Sequence, residues 1–138
     1  IAMKGMHLAF QDCRSIQLSG TTIEGDTAER MLKVCGAGAF VVLKALAIGG
    51  RREKKDAYDL FMVLRSYESG PMGVAALLAD HRNDPDVIDA LSILESNFAR
   101  PTDIGPSQMA RFLKRESDDA LRQDVVGHVE LFLKAMRS

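Results

Sequence analysis

The residues best placed to do chemistry are one lysine and two aspartates. Lys44 is the only polar residue between positions 39 and 48, in the stretch AFVVLKALAI. A helix of this composition is hydrophobic nearly all the way round and is expected to be buried. Phe40, Leu43 and Ala47 neighbour Lys44 at helical spacing, so the ammonium must snorkel out, line a cleft or meet an acid. After the Gly49-Gly50 stop comes a basic cluster of Arg51, Arg52, Lys54 and Lys55, and then Asp56 and Asp59, three apart and on one helical face. Leu60, Phe61, Val63 and Leu64 supply that second helix with packing surface. Two helices joined by so short a loop pack antiparallel, which would let Lys44, Asp56 and Asp59 converge. On physical grounds alone, the leading reading of such a convergence is a partly buried ion pair that fixes the register of two helices.

The same residues carry a family resemblance. A lysine in an apolar helix, followed by Ala45, Ala47, Arg51 or Arg52, and then Lys55-Asp56-Ala57-Tyr58-Asp59-Leu60, resembles the C-terminal signature of the AbiEii/AbiGii nucleotidyltransferase-like toxins. The close match runs over residues 31–67. The resemblance implies that Lys44 and Asp56 are the catalytic pair, the lysine contacting nucleotide phosphates and the aspartate positioning it. It assigns phosphate or RNA contacts to Arg51, Arg52 and Lys55, with Asp59 and Tyr58 in support. It further implies magnesium and a nucleoside triphosphate for full-length relatives, an RNA acceptor and an antitoxin protein as partner.

The chain also departs from that family. Such transferases hold the triphosphate on an early Gly-Ser turn and the metal on an Asp-x-Asp pair in a strand, both upstream of the lysine helix. Upstream of Lys44 neither is present: Asp12 and Asp26 are isolated, and Glu24 with Asp26 falls in a turn sequence. No metal ligands and no cofactor are therefore assigned to this chain. One reading is the C-terminal portion of a nucleotidyltransferase-like protein, inactive alone, with residues 1–67 belonging to the catalytic domain and 68–138 forming a helical domain packed on it. The other is a non-catalytic interaction module that self-associates, most simply as a homodimer, or binds a protein partner. Because the chain opens on Ile1, it is expected to be a piece of something longer.

The elements that must position these groups are legible in part. Residues 6–18 alternate apolar and polar, with a break at 12–15, and read as strand; 22–24 and 30–35 are further short strands. Gly36-Ala37-Gly38 lacks the third glycine and the following strand of a dinucleotide loop, so it reads as a tight strand-to-helix junction. Short helices are expected over 72–81 (Val74, Leu77 and Leu78 inward) and from Gly105-Pro106 onward (Met109, Phe112 and Leu113 inward). A longer one starts at Asp84-Pro85-Asp86, with Asp84 as N-cap and Val87, Ala90, Leu91, Leu94 and Phe98 as its stripe. The last spans about 118–137, with Leu121, Val125, Val129, Phe132 and Met136 inward. The fold class is thus α+β: short antiparallel N-terminal strands, then five or six helices.

Composition sets the outer limits. A chain of 138 residues, 46% hydrophobic and 27% charged, can bury a real core and is not disordered. Its 18 basic and 19 acidic residues give a net charge of -1, so any attraction to nucleic acid must be local. Cys13 and Cys35 have no CxxC spacing and no paired histidines; they read as reduced core thiols. His7, His81 and His128 fall in separate elements and read as surface or satisfied residues. No basic-headed leader and no long apolar run is visible, so a cytoplasmic protein without membrane contact is expected.

Overall fold

The computed structural model describes residues 3–138. It is α+β, with antiparallel strands confined to the N-terminal part and six α-helices with one 3₁₀ turn after them. A short helix α1 (Met6–Gln11) comes first, where the alternating pattern predicts strand. The alternation was misleading because it marks no buried face: of Met6, Leu8 and Phe10 only Leu8 is buried, while Phe10 is 78% exposed. Leu8 instead pins one helical turn beneath the core, and the turn closes with Asp12 N–H donating to Leu8 O at 2.7 Å.

Strands β1 (Cys13–Thr21) and β2 (Thr27–Cys35) form one antiparallel hairpin, in register from Cys13↔Cys35 to Thr21↔Thr27. The expected break at 12–15 is where β1 begins, and the expected strand at 22–24 is the hairpin turn. There Asp26 N–H bonds to Thr22 Oγ1, and Gly25 takes φ +92°, a left-handed conformation that a β-branched residue resists. The expected strand at 30–35 is the second half of β2. Nearly the whole ribbon is exposed. Because register partners share a face, Ile16, Leu18, Leu32 and Val34 lie on one side of it, together with Arg14 and Arg30.

The helical body consists of α2 (Ala37–Gly50), α3 (Lys54–Ser66), α4 (Gly70–Leu77), a 3₁₀ turn (Ala79–His81), α5 (Pro85–Asn97), α6 (Ile104–Phe112) and α7 (Asp119–Arg137). Helix α2 packs on α3 and α5, α3 on α6 and α7, and α4 on α7. A single hydrophobic cluster runs from Leu8 through Phe61 and Leu94 to Met136. All five residues of the α7 stripe are buried, and Asp118 caps that helix through Leu121 N–H at 2.9 Å. Asp84 caps α5 as its sequence requires, accepting from Asp86 N–H at 2.8 Å. Two short helices differ from expectation: α4 stops at Leu77, which is 37% exposed, and Phe112 of α6 turns outward to stack on Tyr58. No helix among the described residues is long and apolar enough to cross a membrane.

The hairpin joins the body through one carboxylate. Helix α2 has no capping side chain of its own at Gly36, and Asp12 reaches in from the other strand root, accepting from Ala39 N–H at 2.8 Å. Gly36 N–H in turn donates to Asp12 O at 2.7 Å. The carboxylate lies so close to Gly36 that an added Cβ would overlap it, which is why the junction needs glycine there. Asp12→Ala should therefore cost about 1 kcal/mol, the usual worth of an N-cap. Gly36→Ala should cost more, since it must expel the same carboxylate as well. Urea denaturation of both variants measures the difference; equal stability of Gly36→Ala and wild type would refute the packing account.

Candidate functional site

Residues 51–53 connect α2 to α3 and turn the second helix back along the first. Helix α3 buries Ala57, Leu60, Phe61 and Leu64 against the core, which leaves Asp56 and Asp59 facing Lys44. Lys44 Nζ donates to Asp56 Oδ1 at 2.9 Å and lies 2.9 Å from Asp59 Oδ2. Arg51 closes on the same aspartate as a fork, Nε to Oδ2 at 2.9 Å and Nη2 to Oδ1 at 3.1 Å. Lys55 reaches Asp59 Oδ2 at 3.1 Å, one helical turn away. Five of the residues singled out in the sequence thus converge, and their three cations exceed the two carboxylates by one charge.

Burial explains why the network is so complete. Asp56 is only 1% exposed, and a carboxylate at that depth must be met by charge and hydrogen bonds. Burial alone would push its carboxyl up. The hydrogen bonds and charges of Arg51 and Lys44 outweigh that and hold it below the usual carboxylate range. Asp59 follows the same pattern, with burial overcome by Lys44 and Lys55. For Lys44 burial works downward, and bonds to Asp59 and Asp56 reverse it, so its ammonium is held above the ordinary value.

Helix α2 is less enclosed than its composition predicts. Ala39, Val41, Val42, Ala45 and Ile48 are buried, but Phe40, Leu43, Lys44, Leu46 and Ala47 are only half-buried. A surface cavity of about 390 Å³ opens over this second face, walled by Phe40, Leu43 and Ala47, with Lys44 and Arg51 at its polar edge. Lys44 Nζ stands 5.5 Å from the Phe40 ring centroid. An ammonium carries three donors and a guanidinium five, so after the bonds to Asp56 and Asp59 both cations keep N–H groups for a further acceptor. An anion with a flat apolar body matches that combination.

The remaining predicted residues stay apart. Tyr58 stacks on Phe112 with ring centroids 4.7 Å apart, a packing role. Arg52 borders a separate hollow with Ser92, Ser96 and Asn97, and neither it nor Lys54 joins an ion pair among the described residues. A magnesium ion does not fit Asp56 and Asp59, because the carboxylates are already engaged by three cations.

Sequence reading missed one cluster. His7 Nε2 lies 2.5 Å from Asp84 Oδ2, and Nδ1 lies 3.9 Å from Asp86 Oδ2, so three groups able to ligate a metal meet within 4.8 Å. Asp84 still caps α5 through its other oxygen, and Asp86 Oδ2 accepts Gly5 N–H at 2.7 Å. The acid pair Asp84 and Asp86 is visible in the sequence and reads there as a helix start, while His7, assigned to a strand, could not be placed beside it. No family model, curated protein or solved structure matches the chain.

The ion network sets a pH profile. Asp56 and Asp59 are depressed, so the stability they add is complete above the usual carboxylate range and is lost as pH falls below about 4, through their folded values. Lys44 is raised, so its share is complete below about pH 10 and is lost as pH rises through its folded value. Asp56→Asn should flatten the acid limb of a stability–pH curve measured by urea denaturation. Lys44→Met should stay within about 1 kcal/mol of wild type, since Arg51 still satisfies Asp56 and a desolvated charge is removed. Asp56→Ala, which leaves Lys44 with Asp59 alone and Arg51 without its carboxylate, should cost roughly 1–3 kcal/mol.

Proposed function

We propose that this chain binds nucleotide phosphates at the edge of the Lys44–Arg51 cavity, as the lysine-bearing portion of a nucleotidyltransferase-like protein of the toxin type. The observation that carries the reading is the placement of Lys44. Two aspartates hold its ammonium against α3, and the same side chain borders an open apolar cavity beside a second cation and an aromatic ring. A register-fixing ion pair needs no such opening. Phosphate oxygens would take the remaining N–H groups of Lys44 and Arg51, and a base would lie along Phe40, Leu43 and Ala47. Arg52, exposed and outside the ion network, is the residue this reading offers to an RNA acceptor.

The reading assigns binding, not transfer, to these residues. Nucleotidyl transfer needs charge neutralisation at the phosphates, and the carboxylates that would hold a metal are absent upstream of Lys44 and compensated at Asp56 and Asp59. Nucleoside triphosphate should therefore bind in calorimetry without giving product in a labelled-transfer assay with magnesium. Lys44→Met and Arg51→Ala should each weaken binding by about tenfold, the worth of one charge-assisted hydrogen bond. Undiminished binding by both variants would overturn the site, and metal-dependent transfer by the wild type would overturn the division of labour.

One observation favours the second reading, a module that associates with another copy of itself. The hairpin exposes Ile16, Leu18, Leu32 and Val34 along one face, beside a hollow of about 560 Å³ walled by Phe40, Met62 and Val63. A lone two-stranded ribbon with both edges unpaired is marginal in water. A twofold dimer would cover that face. Light scattering should then give twice the chain mass, and Leu32→Glu should return it to the monomer; a monomeric wild type at high concentration would remove this reading.

A further inference from the structure

Cys13 and Cys35 face each other across the first rung of the hairpin. The type of rung follows from the bonds at either end of the ladder. Gly36 N–H donates to Asp12 O, and Thr22 N–H donates to Asp26 O, each at 2.7 Å. Hydrogen-bonded rungs recur at every second residue, so Asp12/Gly36 and Thr22/Asp26 fix the even positions of β1 as bonded. Cys13/Cys35 is therefore a non-bonded rung, where Cα atoms stand about 4.5 Å apart and side chains come closest. That separation lies inside the range a disulfide spans. Both thiols are free, Cys35 is exposed and Cys13 half-buried, so neither is the core thiol its sequence context predicts. Each now makes only a weak bond to a backbone carbonyl, Cys13 Sγ to Phe10 O and Cys35 Sγ to Gly36 O, both at 3.4 Å. Rotation about χ1 releases both.

We propose that Cys13 and Cys35 are a reversible dithiol–disulfide site, closed by exchange with a small-molecule disulfide. The thiolate of one cysteine attacks a sulfur of the small disulfide, forming a mixed disulfide and expelling one small thiol. The second cysteine then attacks the protein sulfur of the mixed disulfide and expels the other. The two cysteines lose two protons and two electrons, and the small disulfide is reduced to two thiols. Closure bridges the root of the hairpin beside Asp12, the residue that holds the hairpin to the start of α2. In the dithiol form the ribbon is tied to the body through Asp12 and the ladder; in the disulfide form its two strands are also joined covalently at the root.

The test uses the full chain, reduced and then incubated with oxidised glutathione. Intact mass should fall by two hydrogens, both free thiols should vanish, and one proteolytic fragment should link Cys13 to Cys35. Dithiothreitol should reverse all three. Hydrogen exchange of the hairpin amides should slow by at least about tenfold on closure, because the opened ribbon loses freedom when its root is cross-linked. Cys13→Ser removes the resolving partner, so Cys35 should instead carry glutathione as a stable mixed disulfide, and Cys35→Ser should show the converse. Glutathione retained on the wild-type chain, covalent dimers in place of the internal bridge, or thiols still free after equilibration would each overturn the proposal.

Discussion

A carboxylate almost sealed from water is tolerated only if cations come to it, and Asp56 makes that demand on everything around it. Its two oxygens receive Lys44 from one helix and Arg51 from the connecting loop. Sliding α3 by one residue along α2 would turn Asp56 away from both and bring Lys55 or Ala57 to the cations. The ion network therefore fixes the same register that the burial of Leu60, Phe61 and Leu64 on the core side of α3 requires. The same bonds hold the loop at 51–53 close, which places Arg51 at the cavity edge.

Asp12 plays the matching part at the other end of α2. The helix starts at glycines that offer no side-chain cap, and the missing acceptor comes from the root of β1. One acid thus ties strand, junction and helix together, with its backbone carbonyl completing the last hydrogen-bonded rung. Helix α2 is tied by Asp12 at its start and by Asp56 through Lys44 and Arg51, while its apolar residues pack on α3 and α5.

What was legible in the sequence was whatever depends on local spacing. The stripe of α7 and the pairing of Lys44 with an i, i+3 acid pair follow from periods of three and four, and the cap at Asp84 from the residues beside it. Residues 6–11 show where that logic stops. Their alternation suits a strand, but a six-residue segment takes the conformation that buries its one anchor, Leu8, and that choice is made by α2 and the core. Asp12 was equally hidden, because its partner is 27 positions away and lies in a backbone amide. His7 meeting Asp84 depends on α1, packed on α2, passing the first residues of α5, a contact with no periodic trace. The cysteines went wrong for a related reason: their meaning lies in hairpin register, which becomes visible only once the turn at 22–26 is placed.

The composition of α2 explains why its second face matters. A helix buried on every side would need neighbours all round, yet Phe40, Leu43, Leu46 and Ala47 are only partly covered while Val41, Val42, Ala45 and Ile48 are sealed. Leaving apolar surface partly wet forgoes roughly 25 cal/mol for each Å² not buried. A chain under selection for stability alone would place polar residues there, as α7 does on its outer face with Arg122, Asp124, Glu130 and Lys134. The apolar face of α2 is interrupted by one charge, and that charge is held at the mouth of the cavity by two acids from the neighbouring helix. Stability accounts for the acids and the buried half of the helix; the half-buried face, with its single cation, is the surface on which the proposed phosphate site rests.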